Sequence, residues 1–221
     1  MMYSQKSRMV CAFTAAVMIF LTDFAAFFIP KLFIEGASFH DLSIPLDAYV
    51  PFVPEFIYIY ILSYFFWFVT PFFCVRSEPD RFFRWLSANI ISLLICSVFF
   101  LALPATLERP DVIPDSLTTW LVEFIYECDT PTNLLPSIHC LLSWFCFIGV
   151  RSQKKIPLWY RIFSLVFALL VCASTVLVRQ HTLADIFSAL ALAELVWFVS
   201  KHTKLHLLLM RLFKKLSVRF E

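Results

Sequence analysis

Residues 174–194 read STVLVRQHTLADIFSALALAE. Two apolar stretches meet here, parted for a few positions by Arg179, Gln180, His181 and Thr182. Read as a break, the interruption separates apolar runs at about 159–178 and 182–200. Four more runs, at about 10–29, 55–74, 84–104 and 134–150, bring the count to six.

The composition says which solvent these runs face. The chain has 221 residues, of which 61% are hydrophobic and only 15% charged. A water-soluble domain is nearer half apolar with about a quarter charged. The surplus, which includes 27 phenylalanines, is too large to hide in one small core and calls for lipid. Backbone groups in hydrocarbon must be satisfied within their own segment, so the runs are expected to be helices. The expectation is an all-α integral-membrane bundle of six transmembrane helices, forming one domain over 1–221. The first run follows Lys6 and Arg8, as a signal sequence would, but it is longer than a signal core and no small-residue cleavage site follows. It reads as a retained anchor. The seven cysteines form no CxxC pair, and all but Cys128 lie in or beside apolar runs, so they read as small core hydrophobes.

Between the runs, residues 30–54 carry Pro30, Pro45, Pro51 and Pro54 and form a longer loop. Residues 105–133 contain LTTWLVEFIYE, a short helix expected to lie on the membrane, with 120–127 as a lid over the site below. The tail 201–221 mixes leucines with basic residues, as an interfacial amphipathic helix does.

A net charge of +2 is too small to argue for nucleic acid, but its placement is informative. With six spans, 15 of the 18 Lys and Arg residues fall on one face. Only Lys31, Arg109 and Arg179 fall on the other. Basic residues stay cytoplasmic, so both termini are expected there. A five- or seven-span reading scatters the asymmetry. Arg109 and Arg179 run against the bias, which implies that something on the outer face needs them.

His181 and Asp185 are four residues apart, on one face of a helix start. A carboxylate at that spacing accepts the proton of one imidazole nitrogen and leaves the other free to attack. The same pair also suits a structural role, capping and anchoring the sixth helix. PSIH, residues 136–139, has two readings as well. Pro136 and Ser137 suit a first turn and a cap, and His139 is either a packed core residue or a catalyst. The topology places both helix starts on one outer face at similar depth. Two positive helix ends, His139, His181, Arg109, Arg179 and Ser137 then make an anion site, and phosphate is the natural anion.

Three elements in order, ERP (108–110), PSIH (136–139) and RQHTLAD (179–185), resemble the three signatures of the type 2 phosphatidic acid phosphatase superfamily. That group includes lipid phosphatases, undecaprenyl-diphosphate phosphatases, and phosphotransferases that make sphingomyelin or inositol phosphorylceramide. The nearest resemblance is to the branch with D-x-P-x-N-x-x-P-S-apolar-H, here Asp129, Pro131, Asn133, Pro136, Ser137, Ile138 and His139. The resemblance implies that His181 is the nucleophile, Asp185 its orienting carboxylate, and His139 the general acid and then base. It implies that Arg109 and Ser137 hold phosphate oxygens, and that neither metal nor cofactor is required. This chain departs from the pattern at Ala102, where a lysine is usual, at Ile138, where glycine is usual, and at Thr175, where an arginine is usual. Arg179 is expected to supply the missing charge.

These features together imply a lipid-phosphate phosphatase acting through a phosphohistidine at the extracytoplasmic side of the plasma membrane. Its substrate would be an amphiphilic phosphate with tails in the bilayer. The alternatives are a phosphotransferase moving a phospho-headgroup to a lipid or sugar hydroxyl, and a non-enzymatic transporter or lipid-binding relative. A proton relay needs ionisable groups strung across the bilayer. Beyond the site, only Asp23 and Glu194 are deep carboxylates.

Overall fold

The computed structural model describes residues 5–217, with side chains up to Phe213. Eight α-helices account for most of it: α1 (Gln5–Lys31), α2 (Ile57–Cys74), α3 (Pro79–Ala102), α4 (Leu117–Cys128), α5 (Ile138–Val150), α6 (Leu158–Leu177), α7 (Leu183–Ser200) and α8 (His206–Ser217). The all-α expectation misses one feature. Two-residue strands β1 (His40–Asp41) and β2 (Ala105–Thr106) pair in parallel. They tie the 30–54 loop to the segment leaving α3.

All six expected apolar runs are helical, but five are long and apolar enough to cross a bilayer: α1, α2 with its preceding 3₁₀ turn, α3, α6 and α7. The sixth, α5, has 13 residues. At 1.5 Å per residue it is about 20 Å long, short of the roughly 30 Å hydrocarbon core. The residues assigned to its first turn, 134–137, are not helical. They form an irregular, largely buried stretch with a cis Leu135–Pro136 bond. Non-helical backbone at such depth is tolerated where protein covers it.

That covering is α5's situation. It packs against α2, α3, α6 and α7, and nearly all its residues are buried. A helix apolar on every side belongs in the centre of a bundle. Polar bonds fix its register. Trp67 Nε1 of α2 donates to Ser143 Oγ at 2.9 Å, and Trp85 Nε1 of α3 donates to the Phe145 carbonyl at 2.8 Å. At its far end Arg151 forms a two-pronged pair with Glu194 of α7, at 2.5 and 2.8 Å, and Trp144 Nε1 donates to the same carboxylate at 2.9 Å. This accounts for one of the two deep carboxylates as a partnered structural group.

The peripheral pieces follow the sequence. Ser116 caps α4, its hydroxyl accepting from the Thr119 N–H at 3.2 Å. In the tail, α8 rests on α3 through Phe213, whose ring lies 5.1 Å from that of Phe83, and His206 Nε2 meets Asp80 Oδ1 at 2.6 Å. The last part of the expected basic tail, 218–221, lies outside the described residues. All seven cysteines are free, and Cys128 alone is exposed.

Gly149 marks a close approach of α5 to α2 and α3. A Cβ there would stand 2.5 Å from Cys74 Sγ and 2.8 Å from Trp85 Nε1. Alanine gains about 1 kcal/mol of helix propensity over glycine, whereas overpacking costs about 1–3 kcal/mol. Trp85 is held by its bond to Phe145 and yields little, so the clash should win. Gly149→Ala should lower the unfolding temperature in detergent, and Gly149→Leu should lower it further. An alanine variant as stable as the parent would show that this contact is looser than described.

Candidate functional site

The helix break at 178–182 is built by one residue in an uncommon conformation. Arg179 has φ of 52°, a left-handed geometry that costs an L-residue roughly 1–2 kcal/mol. It reverses the chain at the end of α6, so the N–H groups of Gln180 and His181 both return to the Thr175 carbonyl, at 2.9 and 3.1 Å. This sets His181 just before the first turn of α7.

Asp185 then does two jobs at once. Its Oδ2 accepts from the Thr182 N–H at 2.8 Å, closing the start of α7, and lies 3.2 Å from His181 Nδ1. The helix-closing contact and the contact to the imidazole therefore share one oxygen. Nδ1 donates to the carboxylate and Nε2 is left free. Burial is the largest single influence and works against a charged His181, but the bond to Asp185 and the charges of Asp185, Cys140 and Asp129 together outweigh it, and the imidazole titrates above its ordinary range.

The second helix start is joined to the first. Ser137 caps α5, its hydroxyl accepting from the Cys140 N–H at 3.3 Å, and its own N–H donates to the Asp185 carbonyl at 3.2 Å. His139 follows within the first turn. Its ring centroid lies 6.2 Å from that of His181. The two helix starts, both histidines, Asp185 and Ser137 are thus brought together.

The two arginines are placed differently. Arg109 donates to the carbonyls of Asp129, at 2.7 Å, and Tyr126, at 3.3 Å, and to Gln180 Oε1. It borders the site through Gln180. Arg179 reaches away, donating to the carbonyls of Asp47 at 3.3 Å and Val50 at 2.5 Å. Asp47 in turn accepts from the Leu183 N–H at 2.8 Å, so the proline-rich loop is stapled to the start of α7. Thr175 is fully buried, its hydroxyl donating to the Cys172 carbonyl.

Both histidines line a cavity of about 480 Å³. One wall is the phenylalanine face of α1, Phe20, Phe24, Phe27 and Phe28, with Asp23 among them. Ile125 and Cys128 of α4 line it too, in keeping with a covering role for that helix. Asn133, Gln180 and Asp129 supply the remaining polar lining. Burial pushes the Asp129 carboxyl up, against the pull of His181, Lys31 and Arg109.

Sequence reasoning missed the cage around His139. Tyr60 stacks on the imidazole at 4.2 Å and 24°, while Tyr64 and Trp67 stand 5.5 and 5.1 Å away. These α2 residues recur at i, i+4 and i+7, a single helical face. The signal was the spacing, masked by the many other aromatics in the run.

Because the folded His181 titrates high, its pairing with Asp185 contributes stability fully below the unfolded value of about 6.5. That contribution is lost as pH rises through the folded value. Asp185→Asn should therefore lower the unfolding temperature more at about pH 5.5 than at about pH 9. An equal loss at both would mean the bond to Thr182 alone matters.

The family model described as the PAP2 superfamily matches residues 82–207, more than half of the chain, and contains Arg109, His139, His181 and Asp185. Neither a search of curated proteins nor one of solved structures found a match. With the family model spanning both helix starts and the joint between them, the chain belongs to the type 2 phosphatidic acid phosphatase superfamily.

Proposed function

We propose that the protein is a membrane-embedded lipid-phosphate phosphatase working through a phosphohistidine on His181. One observation carries the reading. Two imidazoles from separate parts of the chain stand 6.2 Å apart at a shared pair of helix starts, beside a cavity whose wall is apolar enough for an acyl or prenyl tail. Phosphatase and phosphotransferase chemistry both occur in this superfamily, and its helices here are of membrane-spanning character.

In the proposed reaction His181 Nε2 attacks phosphorus and the ester P–O bond breaks. His139 gives the leaving oxygen its proton, and Asp185 stabilises the imidazolium of His181. In the second half His139 takes a proton from water, water attacks the phosphohistidine, and phosphate leaves. Arg109, the Ser137 hydroxyl and the N–H groups opening α5 are the proposed partners of the phosphate oxygens. Arg179 joins them only by releasing the carbonyls of Asp47 and Val50, so it takes second place. The scarcity of cations at the cavity favours a substrate with one phosphate over a diphosphate.

The charge bias supports six spans, with α5 completing its crossing through the buried stretch before it. The same bias supports cytoplasmic termini and a site at the extracytoplasmic face, the plasma membrane being the proposed location. Cys128 is exposed and the other six cysteines are buried. A membrane-impermeant maleimide added to intact cells should label Cys128 alone. Labelling that requires permeabilised cells would invert the orientation.

Purified protein should be assayed on phospholipid, sphingolipid and polyprenyl monophosphates, with and without alcohol acceptors. Release of inorganic phosphate is expected, falling to background in His181→Ala. In Arg109→Ala, turnover should drop roughly 100-fold, as for loss of a charge-stabilising donor. Phosphate release unchanged in His181→Ala would end the phosphohistidine reading. Transfer to the alcohol in place of phosphate release would make the protein a phosphotransferase.

A further inference from the structure

His181 has a carboxylate fixing its tautomer; among the described residues no carboxylate bonds to the His139 ring, which has the same need. Its ring is gripped at both nitrogens by α2. Tyr60 Oη lies 3.4 Å from Nδ1 and Tyr64 Oη lies 3.1 Å from Nε2. The Tyr60 hydroxyl also donates to Asp129 Oδ2, at 3.2 Å. A phenol has one proton. With that proton on Asp129, the tyrosine oxygen can only accept from His139, so Nδ1 carries hydrogen and Nε2 is the reacting nitrogen.

We propose that Tyr60 and Asp129 are positioning residues, a hydroxyl-bridged carboxylate that holds the general acid–base His139 in its working tautomer and stabilises its protonated form. The inference rests on the lipid-phosphate reading above and deepens it. Both histidines would then be backed by a carboxylate. His181 is backed directly by Asp185, and His139 is backed by Asp129 across one phenol. Tyr60 is fully buried and stacked on the imidazole it serves, so the ring has little freedom to turn. Tyr64 stands where the leaving oxygen must come, at Nε2, and gives way to it.

No proton moves along the bridge during turnover. In the first half-reaction the Nε2–H bond of protonated His139 breaks and an O–H bond forms on the leaving group. In the second, water gives its proton to Nε2 as its oxygen bonds phosphorus. Nδ1–H, the tyrosine O–H and the carboxylate keep their protonation throughout. The charge on Asp129 lowers the cost of the imidazolium by attraction through two hydrogen-bonded links. The other titratable or charged groups near this ring are His181, Asp23 on the α1 wall of the cavity, Tyr64, and Arg109 behind Asp129.

Tyr60 lies outside the residues matched by the family model, which begin at 82.

The test is Tyr60→Phe, which keeps the stacked ring and removes only the oxygen, with Asp129→Asn and the double variant beside it. Histidine-labelled protein is titrated by nitrogen NMR, the His139 signal being the one missing from His139→Gln. In both single variants the His139 midpoint should move to lower pH, and the double should move it no further than the larger single shift. With a lipid monophosphate, kcat should fall roughly 10- to 100-fold, the usual loss for a group that orients a reacting one, with KM little changed. The alkaline limb of kcat should shift to lower pH. An unmoved His139 titration in folded Tyr60→Phe, or shifts that simply add in the double variant, overturns the bridge. If the parent protein shows the NMR shift on mutation but turns over no lipid phosphate, the bridge stands and the phosphatase reading fails.

Discussion

A single backbone contact organises this molecule: the Ser137 N–H donating to the Asp185 carbonyl. It joins the first turns of two helices that begin 45 positions apart in the chain (Ile138 and Leu183). Everything chemical hangs from that joint. His139 is placed within the first turn of one helix and His181 just ahead of the other. The Asp185 side chain closes the second helix and orients its neighbouring imidazole through the same oxygen. Helix starts expose unsatisfied N–H groups and carry partial positive charge. Bringing two together is favourable only if acceptors fill the gap, and Asp185 and the Ser137 hydroxyl do so.

Much of this was legible in the residues. The apolar runs fell where helices stand, because hydrocarbon allows a segment no other way to satisfy its backbone. His181 and Asp185, four apart at a helix start, announced their contact, as Ser137 announced a cap, whereas Pro136, read as part of the first turn, stands outside the helix. What remained hidden was long-range. Nothing in the order of residues tells that Asp47, inside a proline-rich loop, reaches the start of α7, or that the α1 phenylalanines line the cavity. The length of α5 was misjudged because composition counts apolar residues and is blind to a stretch such as 134–137, which is buried without being helical. Arg179 shows the same limit. Its position beside His181 was readable, but the direction of its guanidinium depends on where the 45–50 loop lies.

The cation economy of the site follows from those placements. A phosphate dianion in a low-dielectric cavity needs donors, and the chain lacks lysine at 102 and arginine at 175. Of Arg109 and Arg179, the second is engaged with loop carbonyls and the first touches the site by way of Gln180. On the proposed reading, backbone N–H groups and helix ends carry more of the burden than side-chain charge. Such donors are fixed in place and need no reorganisation when charge develops.

The two deep carboxylates illustrate how depth is handled. Glu194 is matched by Arg151 and Trp144, while Asp23 faces the cavity. The first five dozen residues thus hold the apolar wall, Asp23 and Tyr60, whereas the joined helix starts come from the second half of the chain. The two regions touch without sharing a backbone segment. On the proposed reading, such a partition lets substrate preference drift by exchange of the α1 wall residues while the joined helix starts stay untouched, a modularity within one continuous chain.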